Sequence, residues 1–116
     1  MKKLLAAGIG IAATIGLAAT AMAGDKPITG TLEDSYCFAA MGAHGASHKE
    51  CALKCAQAGI PVMLVEKNGK AYILLPAKNG ESLPKSVIDK MEDEVTVTGK
   101  EYRKGGVSFL TVDSIK

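Results

Sequence analysis

The chemistry of this chain is concentrated in one short stretch. All three cysteines and both histidines of the 116-residue sequence, Cys37, His44, His48, Cys51 and Cys55, fall within nineteen positions. Thiolate and imidazole are the donor set of zinc and copper, and soft thiolates favour Cu(I) in particular. On a helix each residue turns about 100°, so from His48 the Cys51 side chain lies at about 300° and Cys55 at about 340°. His48, Cys51 and Cys55 would then share one narrow stripe. Cys37 comes from the preceding segment and can fold over the same face. His44 joins the stripe only if the helix extends back another turn, which Gly45 opposes. The candidate metal ligands are therefore Cys37, His48, Cys51 and Cys55, with His44 as an additional candidate.

Three readings of the cluster are open. The first is metal binding, by copper or zinc. Residues four apart on a helix hold their Cβ atoms about 5–6 Å apart, whereas a disulfide needs about 3.8 Å. Cys51-x-x-x-Cys55 therefore suits an ion between two sulfurs better than a covalent bridge. Met41 and Met63 are further thioether candidates for copper, though a loop and a core role suit them better. The second reading is a structural disulfide from Cys37 to Cys51 or Cys55. It would close a loop of about 15–19 residues and contribute about 3 kcal/mol. This leaves one thiol over. The third is thiol redox chemistry, since Cys51 falls in the first turn of a helix, where the dipole favours a thiolate. Against it, Cys-x-x-Cys is absent, as is the Cys-x-x-Cys-His of haem attachment.

The compartment bears on all three. Residues 1–23 are predicted to be a cleaved secretory leader: Lys2 and Lys3, an uncharged stretch from Leu4 to Thr20, then Ala21-Met22-Ala23. No cysteine follows that would take a lipid, and no second apolar run would hold the mature chain in a membrane. A bacterial periplasm, reached unfolded through the general secretory route, is the expected location. There exposed thiols end up bridged, metal-bound or redox-active. The chain has 14 basic and 12 acidic residues; loss of Lys2 and Lys3 leaves twelve of each. A neutral surface with few aromatics gives no footprint for nucleic acid. No phosphate-binding glycine loop argues for a nucleotide, and no Ser-His-Asp pattern argues for a hydrolase. The expected partners are a metal ion or another exported protein, and no enzyme signature is present.

These residues must be positioned by a small scaffold. Ile28 to Glu33 alternates with period two, a strand. Asp34 to Ala46 is irregular and rich in Gly and Ala. Ser47-x-x-Glu50 has the form of a capping box, opening a helix over about His48–Ala58 that Gly59 and Pro61 end. Val62–Glu66 and Ala71–Leu75 are strands joined at Asn68-Gly69, where both positions tolerate positive φ. A short helix over Lys85–Met91 precedes a strand around Val95 and Val97 that reaches toward Tyr102, and Val107–Ile115 is a fifth. The acidic run Asp89, Glu92, Asp93 and Glu94 is expected to be a solvated turn, without EF-hand spacing. Five strands with these two helices predict a mainly β, α+β domain over residues 24–116. The expected plan is a five-stranded OB-like barrel, with the cysteine helix inserted between strands one and two and the short helix between strands three and four.

Gly30-x-Leu32-x-Asp34-x-x-Cys37, followed by His48-x-x-Cys51-Ala52-x-x-Cys55-x-x-x-Gly59-x-Pro61 and Val95-x-Val97-x-Gly99, resembles a group of short exported bacterial proteins with an OB-like domain. The resemblance covers most of residues 24–116. It implies the fold and makes Cys37, Cys51 and Cys55 parts of one device; it implies no mechanism. The function expected is an exported small binding protein with a Cys/His site for copper or zinc. A disulfide-stapled interaction domain is the alternative and a thiol-redox protein the third option.

Overall fold

The computed structural model describes residues 25–116; the leader assigned to residues 1–23 lies outside the described residues. Nine elements follow in the order β1 (Lys26–Asp34), α1 (Lys49–Gln57), β2 (Val62–Val65), β3 (Ala71–Pro76), α2 (Lys85–Ile88), β4 (Glu94–Gly99), β5 (Glu101–Lys104), β6 (Val107–Val112) and β7 (Ser114–Ile115). A π-turn over Cys37–Met41 and a 3-10 turn over Ala46–His48 lie between β1 and α1. The fold is mainly β with few helices, and the cysteine-bearing helix sits between the first two strands, as expected. Among the described residues no helix is long and apolar enough to cross a membrane.

The expected five-stranded barrel needs correction. Seven strands form one sheet in the order β5-β6-β3-β2-β1-β4-β7. The expected fourth and fifth strands are each interrupted once, at Lys100 and at Asp113. Gly99 marks the reason. A Cβ there would lie 1.7 Å from the Thr111 carbonyl oxygen, so the two backbones meet at a distance only glycine permits. On one side of this point Thr98 faces Ser114, and on the other Glu101 faces Leu110. Gly99 and Lys100 thus stand against three residues, Thr111 to Asp113. The extra residue bends the ribbon as a bulge does. Pairing continues across the bend, with the Thr111 amide donating to the Lys100 carbonyl at 3.0 Å and the Asp113 amide to Thr98 at 2.9 Å. β5 and β7, at opposite ends of the strand order, are therefore carried on one bent two-strand ribbon.

β1 organises the rest. Its first part pairs with β4, Ile28 opposite Val97, and its second part with β2, Leu32 opposite Leu64. Alternation sends Ile28 and Leu32 inward, where they join Val62, Leu64, Tyr72, Leu74, Val95, Val97, Leu110 and Val112 in one core. β3 and β6 run parallel, placing Leu74 beside Leu110. The β2–β3 hairpin forms at Asn68-Gly69, but only Gly69 takes positive φ, 92°. Asn68 instead uses its side chain, accepting from the Lys70 amide at 2.8 Å. α1 closes one end of this core with the small residues Ala52 and Ala56, both buried. Fully burying an apolar side chain of the core is worth about 1.5–3 kcal/mol, so the sheet is a firm base for what lies at the end of β1.

Candidate metal centre

The site grows from the last residue of β1. Asp34 is completely buried, opposite Val62. The chain then leaves the sheet, held by the Ser35 amide donating to the Pro61 carbonyl at 3.0 Å. Cys37 opens the π-turn. Its carbonyl accepts from the amides of Gly42 and Ala43, and Gly42 ends the turn in the left-handed region at φ 65°. Single π-turns of this kind concentrate at functional sites. The Cys37 amide donates to Asp34 Oδ1 at 2.9 Å, which pins the thiol over the end of the sheet, 4% exposed.

α1 brings the other two thiols. Ala52 and Ala56 face the core, and the adjacent stripe of Cys51 and Cys55, one turn apart, faces the π-turn. Cys55 is held by the helix end. Its carbonyl accepts from the Ala58 and Ile60 amides at 3.1 and 3.0 Å, and Gly59 at φ 98° reverses the chain as a Schellman-type terminator. The capping-box expectation fails at the other end. Ser47 falls within the 3-10 turn, His48 occupies the N-cap position, and no side chain caps the helix.

The three sulfurs converge. The Sγ atoms of Cys37, Cys51 and Cys55 all lie within 4.8 Å of one another, and all three thiols are free. A metal at about 2.3 Å from three sulfurs holds them about 4 Å apart when trigonal and about 3.8 Å apart when tetrahedral. A contraction of at most about 1 Å would bring the three sulfurs to such a spacing. Cys37 is buried, Cys55 half-buried and Cys51 exposed, so the triangle runs from the protein interior to solvent.

His48 does not stand in that triangle. Its Nε2 lies 3.1 Å from Asp34 Oδ2, with side chains 11% and 1% exposed. An ionised carboxylate only accepts, so Nε2 is the donor. Asp34, Cys37 and His48 form a second group with ligand atoms within 4.8 Å, and Cys37 belongs to both. The cluster expected as a single Cys/His set is thus two triads sharing Cys37. His44 is exposed in the loop and joins neither; Met41 is exposed as well.

Electrostatics set the resting state of these groups. Burial alone would raise the Asp34 carboxyl. The Cys37 amide and the His48 ring more than offset it, and Asp34 is held below its ordinary 3.8. The Cys37 thiol is pushed up to about 12, chiefly by burial, then by its hydrogen bond to Asp34 and the charge there. Burial followed by the Asp34 charge raises Cys55 too. Without a cation these two sulfurs keep their protons and are poor nucleophiles. A bound metal reverses that balance, since coordination deprotonates a thiol outright.

One residue of the acidic run departs from the expected solvated turn: Glu92 is buried, beside Glu33 of β1. Glu33 and Glu92 are 6% and 9% exposed. Glu92 has φ 68° and accepts from the Gly45 amide at 2.6 Å, tying the loop before the 3-10 turn to the β4 side. Asp34 was the residue that spacing within the Cys/His cluster did not single out. Its position three before Cys37, at the end of an alternating strand, is the signal that it accepts from that amide. Family models, curated proteins and solved structures were all compared with the chain, and none matches.

Proposed function

We propose that this is an exported protein that binds one soft metal ion through Cys37, Cys51 and Cys55, with Cu(I) the preferred ion and Zn(II) the second. The observation that carries the reading is the mutual approach of three sulfurs to within 4.8 Å. Three thiolates complete a trigonal Cu(I) shell. Zn(II) takes four ligands, and a solvent molecule on the exposed Cys51 side would supply the fourth. Asp34 and His48 satisfy each other, so their part is to hold the Cys37 loop in place rather than to bind the ion. The leader-like residues 1–23 support export to a periplasm, where metal loading follows folding.

The competing reading is a disulfide staple, favoured by the Cys37 Sγ lying within 4.8 Å of the Cys51 and Cys55 Sγ atoms. Metal analysis and thiol counting on protein recovered from the periplasm separate the two. Metal binding predicts one ion per chain and three thiols that alkylate much more slowly while the metal is bound than after it is stripped. A single thiol per chain, with no metal taken up after reduction and reloading, supports the staple instead.

A further inference from the structure

We infer that the site is built to hand its metal over, with Cys51 the ligand displaced first by a sulfur-bearing acceptor and Cys37 the last to let go. This inference rests on the three-thiolate reading and adds a direction to it. The three sulfurs differ in everything but distance. Cys37 is buried, its amide is bonded to Asp34 and its carbonyl to the π-turn closing amides. Cys55 is half-buried in the last turn of α1, and its carbonyl takes two amides of the helix terminator. Cys51 is exposed, in the first turn of a helix that no side chain caps. Of the three corners, Cys51 is therefore the one most open to an incoming ligand.

The exchange balances without a redox step. The acceptor thiol forms a metal–sulfur bond and gives up its proton. The metal–Cys51 bond breaks, and the Cys51 sulfur takes a proton up. The intermediate holds the metal on Cys37, Cys55 and the acceptor sulfur, and the metal keeps its oxidation state. The acceptor class is a protein or peptide offering thiols from an accessible site.

The test loads wild-type, Cys51→Ser and Cys37→Ser protein anaerobically with one equivalent of Cu(I), adds glutathione and reads native mass spectra. Cys51→Ser is expected to carry Cu(I) together with one glutathione, which fills the exposed corner. Cys37→Ser is expected to form no such adduct, because its open corner lies beneath the π-turn. Equal glutathione uptake by both, or none by metal-loaded Cys51→Ser, overturns the inference. Should Cys37→Ser fail to fold, iodoacetamide mapping of loaded wild-type protein gives the same decision. Cys51 is expected to be modified about tenfold faster than Cys37 or Cys55, and equal rates overturn the order of release. Failure of the wild-type protein to load Cu(I) at all defeats the three-thiolate reading itself, whereas loading followed by the wrong order defeats only the handover.

Discussion

Glu33 and Asp34 are consecutive residues of β1, both almost fully buried, and they meet opposite fates. Alternation places them on opposite sides of the strand. On one side Asp34 receives a backbone amide and an imidazole and stays ionised. On the other Glu33 meets Glu92. Burial first, then the Glu92 charge and hydrogen bond, push Glu33 from its ordinary 4.5 to about 7. As carboxylates, Glu33 Oε1 and Glu92 Oε2 are buried and find no donor. One proton held between the two carboxyls would satisfy both. Burial does not decide charge on its own; the donors within reach do. The side of β1 with donors is the side that builds the thiol site, where burial first and then the fixed negative charge of Asp34 raise the Cys37 and Cys55 thiols.

The contrast can be broken most severely at Asp34. Asp34→Ala removes the acceptor of the buried Cys37 amide and the partner of His48, and is expected to cost about 2–4 kcal/mol in urea unfolding. A loss under about 1 kcal/mol would mean that the π-turn holds Cys37 by itself.

Glu33 tests the other side. Its folded pKa is raised, so the folded state binds the extra proton. The stability it contributes is complete below 4.5 and is lost as pH rises to about 7. Wild-type protein is expected to lose about 3 kcal/mol across that window, and Glu33→Gln to flatten the loss, because the amide supplies the hydrogen the carboxylate lacks. An unchanged pH profile in the variant would place the titration elsewhere.

A smaller effect is expected from His48→Ala, about 1 kcal/mol at neutral pH, since Asp34 keeps the Cys37 amide. Asp34 contributes stability that is present above its unfolded pKa and disappears as pH falls. Losing the His48 donor should therefore move acid unfolding to higher pH, which circular dichroism against pH would register. Least of all, Lys49→Ala removes the exposed pair with Asp93 at 3.0 Å and should change stability by no more than about 0.5 kcal/mol. A larger change there would mean that α1 depends on this tether across to the start of β4.

The sequence carried the sheet segments and the convergence of the cysteines well, for local reasons. Period-two alternation located β1, and Gly59-x-Pro61 located the end of α1, because each signal is written in adjacent residues. The interruption at Gly99 was not legible. It depends on how closely Thr111 approaches from twelve positions away, and Val95 to Tyr102 has the composition of one uninterrupted strand. The His48 placement was missed for a similar reason. A helical stripe assumes an ideal helix, and here the chain enters through a 3-10 turn that swings the imidazole to Asp34. Glu92 looked like part of an exposed acidic run, since its burial comes from a long-range partner on β1 and a loop amide at Gly45.

X-ray absorption spectroscopy at the metal edge of Cu(I)-loaded protein tests the central claim most directly. Three sulfur scatterers at about 2.2–2.3 Å are expected, falling to two in Cys51→Ser. A shell of nitrogen or oxygen alone, or the same sulfur count after Cys51 is replaced, would contradict it.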